Sequence, residues 1–576
     1  MKYTFSYQNP HTHLIHIEFT AEKLSGDETT VQLPAWRPGR YELGNFAKNV
    51  KQFHPADEKG NALAFRKVSK DCWKIQTKGV NKLVIRYSYY AVDLNAGSTY
   101  LDEKQLYMNP VNCCVYIPEK INEACEVEIK VPTDYKIASS FKKKNNSDTF
   151  ITKDYHELAD TPFIAGNLLK HQSFLVDGVT FHIWFQGECK PNWEKLEKDF
   201  TAFAKEQFST MKGSIPTNEY HFLFHILPHR FHHGVEHLES TVIAMGPSYD
   251  VMQGDTYLEL LSVSSHELYH AWNIKAIRPA EMFPYDYTKE NYSRLGFVCE
   301  GVTTYYGDFF LYRCGIYSYD DVNAALSRHL NNHFDSFGRF NLSVADSSFD
   351  TWLDGYTEIV PHRKTSIYSE GCLIALMTDL LIRRYTNNSH SLDDVMQTLY
   401  TDFYKKGKGY TEADYQKVCE TISGNSFQSF FNGYVYNAAS YENPLVECLD
   451  YVGLQLVSNK SKKHHERFYG IKTIGNVLTT KIAAVYPNSI AEKAGLQVND
   501  EVLSINGYPV KNNLAEWAAY FDNSEINLVV SNGGKTHTRT FTPSAEEYYK
   551  TWSVEKNEKA NQNQKHNFTL WSKREF

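Results

Sequence analysis

One short segment of the 576-residue chain has residue types and spacing suited to metal chemistry. His266 and His270 stand four positions apart, so on a helix their imidazole rings lie on one face and can point at one ion. Neutral imidazole is a good zinc ligand, and Glu267 beside the first histidine can reach a water molecule at the metal. Two histidines leave zinc under-coordinated, so the pattern requires a third protein ligand and a fourth position open to water.

The residues around this motif predict two helices that position the ligands. Apolar residues recur at nearly helical spacing between Leu260 and Trp272, and Pro279 ends the run. A second helical run follows Ser293 and contains Glu300. A carboxylate in so apolar a run is costly to bury unless it is paired or bound to a metal. The pattern therefore predicts Glu300 as the third ligand, with a structural histidine pair as the alternative.

This region resembles the PDZ-containing glycyl aminopeptidase family of zinc metallopeptidases, within the gluzincin clan. The motifs that carry the resemblance are HELYHAWN at 266–273, KAIRP at 275–279, DYT at 286–288, and Glu300-Gly301 with tyrosines at 305 and 306. Glu300 follows His270 by 30 positions, a longer insert than in the larger alanyl-type aminopeptidases. The resemblance implies one Zn²⁺ held by His266, His270 and Glu300, with Glu267 as the catalytic base.

Two other segments resemble site elements of the same clan. Gly234–His237 is similar to a Gly-x-Glu-His element beside the cleft, which implies that Glu236 holds the free α-amine of the substrate. The resemblance also places His237 at the substrate, as a possible second donor to the oxyanion. Tyr368 is similar to the tyrosine that stabilises the oxyanion, although Glu370 stands where that word often has lysine. The alternatives are a solvated acid at 236 and an aromatic residue that only packs at a helix start.

Two further segments are interpreted as structural. Six histidines lie between positions 221 and 237, but strand and loop histidines are more often hydrogen-bonded than metal-bound, so we do not expect a second metal there. Pro34–Tyr41 is similar to the Pro-x-Trp-x-Pro-Gly-x-Tyr signature of the family's N-terminal domain. We interpret that run as a rigid turn anchored by a buried tryptophan.

Composition and patterning exclude several classes of protein. The net charge of −8, with no long basic block, argues against nucleic acid as a partner. No run of about 18 apolar residues predicts a membrane span, and the first residues lack a signal-peptide pattern. The ten cysteines are scattered without C-x-x-C spacing and are interpreted as free thiols. We therefore expect a cytoplasmic protein, or a periplasmic one if a signal has been removed.

The patterns predict a multidomain α+β chain. Residues 1–168 alternate like strands and predict a β-rich sandwich, and 169–450 form a thermolysin-like zinc peptidase domain with an α-rich lobe. Residues 312–365 are interpreted as loop-rich. The PNSIAEKAGLQVND run resembles a PDZ domain of the bacterial protease type spanning 455–545, and 546–576 is expected to be a polar, flexible tail. A PDZ domain implies a peptide or protein ligand added as a strand, here near Tyr469–Ile471.

These features together predict a zinc-dependent aminopeptidase acting on peptides. Preference for an N-terminal glycine or alanine is implied only by the resemblance. One alternative is a zinc endopeptidase whose PDZ domain recruits substrates. A peptide-binding scaffold with a structural zinc site is the other, and the intact Glu267 argues against it because a structural site needs no base.

Overall fold

The computed structural model describes residues 1–145, 149–213, 215–356 and 359–576. In the described part of the chain, no helix combines the length and the apolar character needed to cross a membrane.

The N-terminal domain consists of a seven-stranded, a four-stranded and a three-stranded sheet around one apolar core. Strict alternation in the second strand buries Ile15, Ile17 and Phe19 on one face, as expected for a half-buried strand. The elements are β1 (Lys2–Ser6), β2 (Leu14–Glu22), β3 (Glu28–Gln32), β4 (Val50–Ala56), β5 (Phe65–Ser69), β6 (Cys72–Gln76), β7 (Lys82–Tyr90), β8 (Tyr100–Leu101), β9 (Gln105–Met108), α1 (Pro110–Cys113), β10 (Cys125–Ile129), β11 (Lys136–Ser139), β12 (Lys142–Lys143), β13 (Thr149–Thr152), α2 (Tyr155–Ala159) and β14 (Phe163–Gly166).

The peptidase domain combines a five-stranded mixed sheet with a helical lobe. Its elements are β15 (Lys170–Val176), β16 (Val179–Gln186), α3 (Trp193–Thr210), β17 (Glu219–Ile226), β18 (Phe231–Glu236), β19 (Ser240–Gly246), α4 (Gly254–His270), α5 (Gly296–Cys299), α6 (Gly301–Arg313), α7 (Tyr319–Asp335), α8 (Val344–Asp354), α9 (Ile367–Tyr385), α10 (Leu392–Asp402), α11 (Glu412–Ser423), α12 (Gln428–Phe430) and α13 (Glu442–Tyr451). The strand order is β15-β16-β17-β19-β18, so β18 forms one edge and pairs antiparallel with β19. Helix α4 packs against this edge and against α6, which in turn packs on α9.

The region 312–365 is more helical than expected, because it contains all of α7 and α8. Helix α7 begins at a capping box in which Ser318 accepts from the Asp321 backbone and Asp321 accepts from the Ser318 backbone. The aromatic and polar composition of this stretch predicted loops, whereas the local cap at Ser318 sets the start of a helix.

The C-terminal region folds as a small β domain inserted between two paired strands. Its elements are β20 (Leu454–Lys460), β21 (Ile471–Gly475), β22 (Thr480–Val485), α14 (Ile490–Lys493), β23 (Glu501–Ile505), β24 (Tyr508–Pro509), α15 (Leu514–Phe521), β25 (Ile526–Asn532), β26 (Lys535–Phe541), β27 (Lys550–Lys556) and α16 (Gln562–Ser572). The inserted domain has its own apolar core between residues 469 and 541. Strands β20 and β27 pair antiparallel, and their apolar side chains join the core of the peptidase domain.

The C-terminal segment therefore differs from the expected flexible tail. The segment is mostly polar, but three of its apolar residues, Val554, Phe568 and Trp571, are buried in the peptidase core. The Trp571 indole donates a hydrogen bond to the hydroxyl of Tyr305 on α6 at 2.9 Å. Burial of these few large side chains orders a segment whose average composition is that of a tail.

Candidate active site

The three predicted zinc ligands meet in a cavity of about 760 Å³. The Nε2 atoms of His266 and His270 are 2.9 Å apart, and Glu300 Oε2 lies 3.9 Å and 3.4 Å from them. Zinc–ligand distances near 2 Å in a tetrahedral site place ligand atoms about 3.3 Å apart. The donor atoms therefore fit a zinc ion in both chemical type and spacing.

Hydrogen bonds orient His270 as a metal ligand requires. Its Nδ1–H donates to the backbone oxygen of Asn273 at 2.6 Å, which leaves the Nε2 lone pair facing the cavity in the neutral ring. Burial lowers the pKa of His270, but the Glu300 carboxylate outweighs burial and raises that pKa to about 10. Burial, followed by His270, lowers the pKa of His266 well below 6.5. A divalent cation must therefore displace a proton from His270.

Asn273 also fixes the position of Glu300. Its side-chain amide donates to the backbone oxygens of Val298 and Cys299 at 2.8 Å and 3.2 Å. Glu300 follows directly, at the junction where α5 ends and α6 begins. One buried asparagine thus ties the end of the histidine helix to the segment that carries the third ligand.

Glu267 faces the same cavity from the buried side of α4. Its carboxylate fits against β18 because Gly234 has no side chain: a Cβ built there would lie 2.1 Å from Glu267 Oε1. The other carboxylate oxygen, Oε2, is buried and has no hydrogen-bond partner among the residues that the structure describes. Burial raises the pKa of Glu267 well above 4.5, and the neighbouring Glu236 and Glu300 carboxylates add to this effect, while His270 opposes it.

Glu236 is the last residue of β18 and lines the cavity beside these groups. Ligand-type atoms of Glu236, Glu267 and His270 all lie within 4.8 Å of one another. Glu236 is 5% exposed, and its Oε1 atom has no hydrogen-bond partner in the described protein. A buried carboxylate oxygen without a partner is costly, so this atom is suited to a cationic group supplied by a ligand.

Tyr368 lies in the first turn of α9 and lines the cavity. The hydroxyl of the nearby Tyr356 accepts the backbone N–H of Tyr41 at 3.3 Å. Burial, together with the charge of Glu300, raises the pKa of Tyr368 well above 10. The phenol is therefore protonated at neutral pH and can act as a hydrogen-bond donor.

His237 contacts Asp160, and its predicted role at the substrate stays a prediction. Its Nδ1 atom is 3.1 Å from Asp160 Oδ1, and the same carboxylate oxygen accepts from Lys275 at 2.6 Å. Burial raises the pKa of Asp160, but Lys275 and His237 outweigh it and hold that pKa well below 3.8. His237 is absent from the described residues that line the zinc cavity, because neighbouring side chains at a strand end point to opposite sides.

Part of the histidine-rich region forms a hydrogen-bonded row with His182 and Glu219, whose donor atoms lie close enough together to hold a metal ion. The expectation that no second metal binds there stays a prediction. His182 and His221 stack on adjacent strands with both Nε2 atoms near Glu219 Oε1, at 2.9 Å and 3.2 Å. The Trp184 indole donates to His221 Nδ1 at 3.2 Å. Neutral His221 then carries its proton on Nε2, which lacks the lone pair that a metal requires.

Three residues that contact the site were missed from the sequence: Tyr41, Gly234 and Asn273. Tyr41 belongs to the Pro34–Tyr41 run, interpreted above as a turn, yet its hydroxyl donates to Glu300 Oε1 at 2.9 Å. Gly234 and Asn273 lie within sequence motifs that support the family resemblance, but no role was predicted for either residue from the sequence. Each of the three lies in a motif shared with the family, and that position was the signal that could have indicated a role at the site.

Comparisons with known proteins give matches in three parts of the chain. Residues 2–167 match the peptidase M61 N-terminal domain, 259–374 match M61 glycyl aminopeptidase, and 481–532 match a PDZ domain. The sequence has no match among curated proteins.

Two solved structures are similar over most of the chain. An aminopeptidase N family protein from Idiomarina loihiensis has a TM-score of 0.91 at 23% identity, with 99% of each chain covered. An M1 zinc metallopeptidase from Deinococcus radiodurans has a TM-score of 0.45 at 12% identity, covering 76% of this chain and 93% of its own. The first likeness confirms the multidomain α+β fold from end to end.

The family matches also confirm the prediction of a zinc aminopeptidase with a PDZ domain. The M61 N-terminal and catalytic matches lie on the two domains whose residues meet at the candidate zinc site. The chain therefore belongs to the M61 glycyl aminopeptidase family of zinc peptidases.

Proposed function

We propose that this aminopeptidase removes small N-terminal residues from peptides with one zinc ion held by His266, His270 and Glu300. The family description, glycyl aminopeptidase, supports glycine or alanine at the N-terminus. The observation that carries the proposal is the buried, unpartnered Oε1 atom of Glu236, a residue whose carboxylate lies close to both His270 and Glu267.

Glu267 is proposed as the general base. When bound, zinc supplies Lewis-acid chemistry toward a water molecule and the scissile carbonyl. Glu267 accepts a proton from that water and delivers it to the leaving amine. Its raised pKa supports both steps, because a more basic carboxylate takes up a proton readily and still releases it to an amine.

Glu236 is proposed to set the exopeptidase register. A zinc site alone does not measure the distance from a chain end, so a fixed anion must hold the α-ammonium group of the substrate. The unpartnered oxygen of Glu236 supports that role, because Glu236 lies beside the proposed metal ligand His270.

Tyr368 is proposed to stabilise the oxygen on which negative charge develops. A neutral phenol at the cavity wall can donate to that oxygen, and such donors contribute most when charge appears in a dry site. His237 is instead proposed to act with Asp160 and Lys275 as a buried polar contact between the N-terminal and peptidase domains.

The PDZ domain and the cysteines support two further proposals. Strand β21 is at one end of the sheet order of the PDZ domain and follows Tyr469, so an extended peptide can add to its open edge. All ten cysteines are free, which supports a reducing compartment such as the cytoplasm.

The experiment that tests the proposed function is a hydrolysis screen of matched substrates. Glycyl, alanyl and leucyl amides are compared with the same compounds blocked at the amine, each with and without a chelator. We expect cleavage of the free glycyl and alanyl compounds only, with complete loss in chelator. Equal cleavage of blocked compounds would favour the endopeptidase alternative instead.

A further inference from the structure

We propose that Tyr41 of the N-terminal domain is a positioning residue for the metal ligand Glu300, so that the metal centre is complete only with this domain docked. The proposal rests on the metal site proposed above. Tyr41 is 259 positions before Glu300 in the chain, and the two side chains are 4% and 2% exposed.

The two oxygen atoms of the Glu300 carboxylate have different neighbours. Oε1 accepts the Tyr41 hydroxyl at 2.9 Å, while Oε2 faces the nitrogen atoms of His270 and His266. Among the described residues, Tyr41 is the one hydrogen-bond donor to Oε1. A carboxylate held in this way cannot rotate freely, so Oε2 is preorganised to bind a metal as a single oxygen.

The loop that carries Tyr41 is fastened to the peptidase domain. The Trp36 indole donates to the backbone oxygen of Asp286 at 2.7 Å, and the ring of Trp36 meets Trp352 edge to face at 4.9 Å. Trp352 also contacts the ring of Tyr41 at 5.9 Å. These buried contacts fix the loop from two sides, so the Tyr41 hydroxyl is held where Glu300 needs it.

The alternative is that only the ring of Tyr41 matters, through packing, and one substitution distinguishes this from a role of the hydroxyl. Tyr41→Phe keeps the ring against Trp352 and removes only the hydroxyl that Glu300 accepts. If the ring alone matters, zinc affinity in this variant is unchanged. If the hydroxyl orients the ligand, zinc affinity falls by the 10–100-fold that is typical when a partner of a metal ligand is lost.

Tyr155→Phe is a matched control in the same domain. Its hydroxyl is equally buried and donates to the backbone oxygen of Cys114 at 2.7 Å, within the N-terminal domain. Loss of that hydroxyl tests the general effect of removing a buried phenol hydrogen bond. Thermal unfolding of both variants in chelator then shows whether the folds survive equally without metal.

The experiment measures zinc dissociation constants by competition with a fluorescent chelator. We expect Tyr41→Phe to bind zinc about 10–100-fold more weakly than wild type, with Tyr155→Phe unchanged. Wild-type affinity in Tyr41→Phe would overturn the proposal. Wild-type affinity in His266→Ala would overturn the ligand set itself, and the role of Tyr41 with it.

A double-mutant cycle separates an effect through Glu300 from a general effect of Tyr41→Phe on the fold. Glu300→Asp shortens the carboxylate and moves it away from Tyr41, so the same hydroxyl should matter less in that background. We expect Tyr41→Phe to weaken zinc binding less in Glu300→Asp than in wild type. Equal losses in the two backgrounds would mean that Tyr41 acts through the fold and not through Glu300.

Discussion

Gly301 and Gly371 meet backbone to backbone where α6 packs on α9: a Cβ built on Gly301 would lie 2.2 Å from Gly371 Cα. Gly301 follows Glu300, the proposed third metal ligand, and Gly371 lies nearly one turn after Tyr368. Because neither glycine has a side chain, the two helices approach closely enough for Glu300 and Tyr368 to line one cavity.

Gly371→Ala should therefore destabilise the protein. Its Cβ would lie 2.5 Å from the backbone oxygen of Phe297 and 2.6 Å from Gly301 Cα, and neither backbone atom can move aside cheaply. Overpacking of this kind costs about 1–3 kcal/mol, measurable as a lower midpoint of urea unfolding. Gly433→Ala is the control, since a Cβ there meets no atom within 4 Å. Equal midpoints for the two variants would show that the helices tolerate a wider separation.

Removal of a metal ligand should remove zinc together with activity. His266→Ala and His270→Ala each delete one of three donors, so metal analysis after dialysis should find less than one zinc per chain. His232→Ala is the control, because His232 lines the same cavity and is exposed without belonging to the ligand set. One full equivalent of zinc in both ligand variants would contradict the assignment.

Glu267→Gln should separate metal binding from turnover. Glutamine keeps the size of the side chain, including its fit against Gly234, but it cannot accept the proton of the attacking water. We expect near-normal zinc content and a fall in kcat of at least about 10²-fold. Wild-type turnover with full zinc would leave the reaction without the proposed base.

The histidine motif and Glu300 could be predicted because their signals are local. Helical spacing places His266 and His270 on one face, and the cost of burying a carboxylate singles out Glu300. The structure brings the three donor atoms together, although their role as ligands stays a prediction.

Contacts between distant parts of the chain had no such signal. Tyr41 reaches Glu300 across a domain boundary, and His237 contacts Asp160 of the N-terminal domain. Neither contact leaves a repeating pattern of residue types in the sequence, because each depends on how two domains dock. The same reason applies to Trp571, whose burial against α6 orders a segment that composition assigns to a tail.

The PDZ domain should be separable from small-substrate hydrolysis if it is excised as an insertion. In the β20–β27 pair, Lys460 lies opposite Lys550, so residues 461–549 can be replaced by a two-residue Asn-Gly turn. This deletion keeps β27 and α16 in the peptidase core. We expect unchanged cleavage of a glycyl amide and weaker cleavage of long peptides, measured as kcat/KM.

A truncation after Lys460 is the matched comparison for that deletion. It also removes Phe568 and Trp571, and loss of such buried aromatic side chains costs about 3–5 kcal/mol each. We expect the truncation to unfold at a lower temperature than the internal deletion. Equal stability of the two would show that α16 does not support the peptidase domain, and loss of zinc from the internal deletion would show that the PDZ domain completes the site.

Glu236→Gln tests the exopeptidase register. The substitution keeps the shape of the side chain but removes the charge that faces the α-ammonium group. A hydrogen bond to a charged group is worth about 1.5–3 kcal/mol, so KM for free glycyl substrates should rise accordingly. Zinc content and the unfolding midpoint should match wild type, because Glu236 is not one of the proposed ligands.

The decisive comparison for Glu236 is between free and N-blocked versions of one peptide. A blocked substrate has no ammonium group, so the variant and wild type should cleave it equally slowly, and the preference for free amines should shrink. Equal losses on both substrates would instead place Glu236 in the proton chemistry of Glu267, within 4.8 Å of it. In that case nothing in the cavity would fix the chain end, and the endopeptidase alternative would gain the stronger support.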